Sequence, residues 1–173
     1  MRSAASALLL AALLAAPAAA LEITAVSPAQ PKGAARADFT FSALAVRGVA
    51  WENGAVILPL SEVKGKKYAD IKLLSKDLYA RLEACFKAGC VPAKAKARPA
   101  VKVLAVKPLK SKFRVANAEI SFDGELLAVA GVMASSREPG TFWVAFPSGL
   151  TFPDPAFKSA VESAVIAAWT KKK

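Results

Sequence analysis

The chain contains no histidine. That removes the Ser-His-Asp and Cys-His nucleophilic systems and the imidazole ligands of most catalytic zinc sites. Its carboxylates are scattered. Glu52, Glu62, Asp70, Asp77, Asp123 and Glu125 show no spacing that calls for paired acid–base work. Asp123 is better explained by the turn it would form with Gly124. Ser61 and Ser148 have no base within sequence reach. No catalytic, metal-binding or cofactor-binding residue is assigned, and an enzyme is not expected. The remaining chemistry is cationic. Lys64, Lys66 and Lys67 form one basic cluster, and Lys94, Lys96 and Arg98 form another; both are candidate anion-binding groups. Trp51, Trp143 and Trp169 are read as core or interface residues rather than ligand-stacking platforms.

Residues 1–20 read MRSAASALLLAALLAAPAAA. A short basic start, an apolar Ala/Leu run, a helix-breaking Pro17 and three small residues before Leu21 match a cleavable secretory leader. The run is shorter than the roughly 20 residues that a membrane span requires. The expected product is exported, periplasmic or secreted, with cleavage near Ala20 and no transmembrane segment. Beyond Ala20 the chain keeps 23 of its 24 basic residues and all 13 acidic ones, a net charge of +10. Both halves share the excess, +6 on 21–100 and +4 on 101–173. Such a field attracts polyanions without choosing among them.

The elements that would position these groups repeat. LEITAVSP at 21–28 and VKVLAVKP at 101–108 share four matching positions at one offset. Phe39-Thr40-Phe41 then pairs with Ile120-Ser121-Phe122, and Leu44–Val49 with Leu127–Val132. In that alignment Gly48 falls opposite Gly131, and both mid-strand glycines suggest bulges or close backbone approach. Each copy reads as four strands followed by a helix. Asn53-Gly54 and Asp123-Gly124 carry the two-residue hairpin signal, in which both turn positions take positive φ. Ser75 caps the first helix, and Asp154 with Pro155 opens the second. The expected domains are a leader over 1–20, one repeat over 21–90, a Pro/Ala/Lys linker over 91–100 and a second repeat over 101–173. The linker reads as extended and solvated, with a basic nucleic-acid arm as the alternative. The fold class is α+β: tandem β-β-β-β-α modules, mainly antiparallel, forming an intrachain pseudo-dimer. The chain is expected to be a monomer.

Cys85 and Cys90 are the only thiols. In an exported protein an even count favours a disulfide. If Gly89 ends the helix in the left-handed conformation, the two cysteines occupy positions that meet in a Schellman cap. Two reduced thiols are the alternative.

The segments Ile120–Asp123, Leu127–Met133, Phe142–Ser148 and Phe157–Trp169 together resemble the bacterial SpoVG (stage V sporulation protein G, septation protein) family. That family shows a "TFDD"-like turn, a "VV-D-RVIEG"-like strand, an "LFVAMPSR"-like strand and a closing helix. The first half carries a more diverged version in Val46–Val49 and Leu58–Ser61. The resemblance implies a small α+β unit that pairs into a dimer. It also implies a role in septation, sporulation or nucleic-acid binding. Two departures stand out: the leader, and the absence of a basic residue after Pro147-Ser148, where Gly149 and Leu150 follow. The expectation is a non-enzymatic exported binding or structural protein of the envelope, its basic surface holding an anionic polymer or envelope component. The alternative is a nucleic-acid-binding regulator.

Overall fold

The computed structural model describes residues 20–28, 31–94 and 97–172. Almost all of the leader therefore lies outside the described residues. Among these described residues, twelve strands and two helices follow in chain order. The first half contains β1 (Ala25–Ser27), β2 (Arg36–Phe41), β3 (Leu44–Glu52), β4 (Ala55–Ile57), β5 (Ser61–Val63), β6 (Lys66–Tyr68), β7 (Ile71–Leu73) and α1 (Lys76–Ala88). The second contains β8 (Val101–Pro108), β9 (Arg114–Phe122), β10 (Leu126–Ala134), β11 (Phe142–Ala145), β12 (Leu150–Thr151) and α2 (Pro155–Thr170). The α+β class holds, with antiparallel pairing throughout.

The element count differs from four strands per helix. Seven strands precede α1 and five precede α2. The extra ones are short: β5, β6 and β7 have three residues each and β12 has two. Runs of that length carry too few side chains to show a period of two. Only their partners define them.

Those partners cross the midpoint of the chain. One sheet runs β1-β2-β3-β12, with β4 also on β3; the other runs β11-β10-β9-β8, with β7 also on β10. Strand β12 thus leaves the second half to pair with β3, where Leu150 faces Val46 and Thr151 faces Ala45. Strand β7 leaves the first half to pair with β10, where Ile71 faces Ala128 and Leu73 faces Leu126. Further backbone bonds extend both junctions: Arg47 N–H to Gly149 O at 2.8 Å in the first, and Val129 N–H to Asp70 O and Leu74 N–H to Glu125 O, both at 2.7 Å, in the second. In both halves the helix cap stands four residues beyond the first residue of the exchanged strand, Ser75 after Ile71 and Asp154 after Leu150.

One apolar core results. Phe39, Phe41, Leu44, Val46 and Val49 from the first sheet join Ile120, Phe122, Leu126, Ala128 and Val132 from the second in a single buried cluster. Helix α1 contributes Leu78, Leu82, Cys85 and Phe86; α2 contributes Phe157, Val161, Val165 and Trp169. These positions recur every three to four residues, as a helix with one buried face requires. The Ser75 hydroxyl accepts from Asp77 N and Leu78 N, and the Asp154 carboxylate accepts from Ala156 N and Phe157 N.

The expected alignment of the two halves needs one correction. Phe41 faces Leu44, and Phe122 faces Leu126, so Leu44 occupies the hairpin position of Leu126, not Leu127. The first hairpin then holds a bulge: Phe39 faces Val46 but Ala37 faces Val49. Gly48, at φ 71°, lies in that bulge and has no counterpart in the second hairpin. Gly131 instead sits in regular pairing opposite Asn117. A Cβ there would lie 2.7 Å from Arg114 Nε, so the glycine makes room for a guanidinium lying across the strand.

Cys85 and Cys90 form a disulfide, with Cα atoms 4.5 Å apart. The cap geometry differs from the Schellman expectation. Gly89 has φ 97° and ψ 158°, away from the left-handed helical well. Its N–H continues the helical pattern by donating to Cys85 O.

Candidate anion-binding surface

The first basic cluster is not a loop. Lys64 (φ 51°) and Gly65 (φ 75°) form a tight turn between β5 and β6, with Val63 opposite Lys66, Glu62 opposite Lys67 and Ser61 opposite Tyr68. A residue pair like Lys-Gly is a weaker turn signal than Asn-Gly. Gly65 and the flanking Val63 and Tyr68 were the available clue. The pleat separates the three lysines. Lys67 shares a side with Glu62, Lys66 shares the other with Val63, and Lys64 occupies the tip. All three lysines are exposed, as are Val63 and Tyr68. Among the described residues, none of the three takes part in an ion pair.

The root of this hairpin is held by packing across the two halves. Pro59, just before β5, abuts Gly149, just before β12. A Cβ on Gly149 would lie 2.5 Å from Pro59 Cγ and 3.3 Å from Ile71 Cδ1. Only a residue without a side chain lets the two segments close, and this contact fixes where the hairpin leaves the body.

Behind the hairpin lies a cleft of about 420 Å³. Its walls include Arg36, Gly48 and Glu52 from the first sheet and Glu62 and Lys67 from the hairpin. Two cations and two carboxylates thus face one solvent-open space. Arg36 escaped the sequence reading because no other basic residue lies within three positions of it. The structure brings it beside the lysine cluster.

Of the second basic group, Lys94 and Arg98 are among the described residues. Lys96 lies outside the described residues, and Lys94 is exposed. Arg98 Nε donates to Asp154 Oδ2 at 2.7 Å, so its charge is already answered. Arg98 lines a separate cavity with Pro99 and Asp123. Most of the described residues of 91–100 are exposed and lie outside helices and strands, with a few attachments to the body. Ala93 N–H donates to Ile23 O, Ala100 N–H donates to Asp123 Oδ1 at 2.7 Å, and Pro99 is buried. Burial raises the Asp123 carboxyl above its ordinary range, the Ala100 N–H opposes the shift, and neighbouring Glu125 adds to it. The Phe157 N–H, with further donors including Arg98, lowers Asp154 against a smaller effect of desolvation.

Two of the three tryptophans serve the core. Trp51 stacks on Phe86 with ring centroids 5.8 Å apart, and Trp169 meets Phe142 edge-on at 6.0 Å. Trp143 differs: it is 53% exposed on β11. Its strand position alone did not reveal this, because both faces of β11 read as apolar. Among the described residues, no helix is long and apolar enough to cross a membrane. No family model, curated protein or solved structure matches the chain.

Proposed function

We propose that this is an exported, non-enzymatic binding protein of the cell envelope, and that the β5–β6 hairpin is its contact with an anionic polymer or surface. The observation that carries this reading is the set of unpaired lysines at 64, 66 and 67 on a projecting, internally hydrogen-bonded hairpin. An ordered turn presents charge at lower entropic cost than a mobile loop does. The disulfide fits an oxidising compartment. Co-sedimentation with cell-wall polymer and with anionic vesicles tests the reading. Replacing Lys64, Lys66 and Lys67 with glutamate is expected to abolish retention and leave the thermal midpoint within a few degrees. Equal retention of both proteins removes the hairpin from the function.

The architecture proposed with it is an intrachain pseudo-dimer of two diverged SpoVG-like units. Reciprocal exchange of β7 and β12, and the matching distance from each to its helix cap, support two copies of one unit. An exchanged strand covers an edge that a lone unit would expose.

A nucleic-acid-binding reading is favoured by one feature, Trp143, since an exposed ring can stack on an unpaired base. It predicts binding to single-stranded oligonucleotides that weakens steeply with salt and is reduced by Trp143→Ala.

A further inference from the structure

The backbone of Leu21 is gripped at both ends. Its N–H donates to Glu125 Oε2 at 2.6 Å, and Arg81 Nη2 donates to the same oxygen at 2.6 Å. The same Arg81 nitrogen reaches Leu21 O at 3.4 Å. The Leu21 side chain is 1% exposed and belongs to the core, whereas Ala20 is exposed. The Glu125 side chain is itself only 13% exposed. Three carboxylates, Glu22, Asp123 and Glu125, gather here with two arginines, Arg98 paired with Asp154 and Arg81 paired with Glu125.

We infer that hydrolysis of the Ala20–Leu21 bond creates an α-ammonium group that Glu125 binds, so that removal of the leader locks the N-terminus into the fold. A peptidase of the signal-peptidase class would supply the catalysis and water the second reactant. Ala20 leaves as a carboxylate, and the amine released on Leu21 takes up a proton. Before cleavage the nitrogen offers Glu125 one neutral N–H. Afterwards it offers a full positive charge at the same place, and a bond with both partners ionised is stronger than one in which the acceptor alone carries charge. The uncleaved chain would therefore be less stable than the product, which suits a protein that crosses a membrane unfolded. The inference rests on reading residues 1–20 as a cleaved leader.

The test compares three forms of the protein: residues 21–173 with a free amine, the same chain Nα-acetylated, and residues 20–173. Acetylation keeps the N–H and removes the charge; the extra alanine moves the charge by about 3.8 Å. The free-amine form is expected to have an unfolding constant about tenfold smaller than either of the others, and Glu125→Gln is expected to erase the difference. Equal stability of the free and acetylated forms overturns the inference, as does a difference that survives Glu125→Gln. If that variant fails to fold, the rate of amine acylation in the native state decides. The 21–173 amine should react more slowly than the 20–173 amine, and equal rates overturn the lock. N-terminal sequencing of the protein from its host judges the leader reading separately. A start at Leu21 supports it; a start elsewhere overturns the processing step whatever the stability series shows.

Discussion

The hairpins β2–β3 and β9–β10 start alike and end differently. Each begins with a phenylalanine opposite a leucine, Phe41 with Leu44 and Phe122 with Leu126. Each then accepts a short strand from the opposite half of the chain. From there β10 runs on in register to Val132, with Ala128, Ala130 and Val132 all buried. Strand β3 inserts a residue instead. Asp38 Oδ1 accepts from Gly48 N at 2.7 Å, and Val49 returns to the core three residues after Val46. One added residue turns a plain strand into one wall of the cleft. The shared part of the two hairpins builds the core, and the part that diverges builds the candidate site.

The exchange itself offers the strongest way to break the comparison. Leu150→Ala and Ile71→Ala each remove a buried anchor from an exchanged strand and should cost about 2–5 kcal/mol. Because each strand belongs to one half and pairs with the other, both substitutions should lower the urea midpoints of amide exchange in β2–β3 and in β9–β10 together. Separate transitions would show two independent halves.

Glycine replacements sharpen the point next. Gly149→Val drives a side chain into Pro59 and should cost about 1–3 kcal/mol by overpacking. Gly48→Ala meets no atom within 4 Å. It should cost only the left-handed backbone penalty, about 1–2 kcal/mol. Chemical denaturation of the two variants separates crowding from strain.

The disulfide has no counterpart in the second half. Cys85→Ser with Cys90→Ser should cost about 2 kcal/mol, since the closed loop is short. The increase in amide exchange should concentrate at the end of α1 rather than α2.

The smallest effect distinguishes the two helix caps. Ser75→Ala should cost about 1 kcal/mol and do so at every pH. The Asp154 cap titrates. Its carboxyl is held below the usual range, chiefly by the Phe157 N–H, so its contribution is present above the ordinary carboxylate pKa and disappears as pH falls through the lowered value. Thermal melts of Asp154→Asn and the parent should therefore converge in acid, while those of Ser75→Ala and the parent keep their separation.

Much of the scaffold was legible from local signals. Asn53-Gly54 and Asp123-Gly124 both adopt the paired positive-φ turn expected of them. Ser75 and Asp154 cap their helices as their types and positions imply. Strands β5, β6, β7 and β12 were not legible. The site was legible only in part: the lysines drew attention as a charge cluster, while Arg36 and the wall beside Gly48 did not.

Turns, caps and amphipathic helices depend on neighbours within four residues, so residue type and order alone determined them. The same holds for the net charge and the absence of histidine. Which half each short strand serves was a tertiary decision. Strands β7 and β12 gain their hydrogen bonds from partners more than 50 and more than 100 positions away, and nothing in their own composition names those partners. The bulge at Gly48, the closure of Gly149 on Pro59 and the grip of Glu125 on Leu21 likewise depend on segments distant in sequence, brought together only by burial of the shared core.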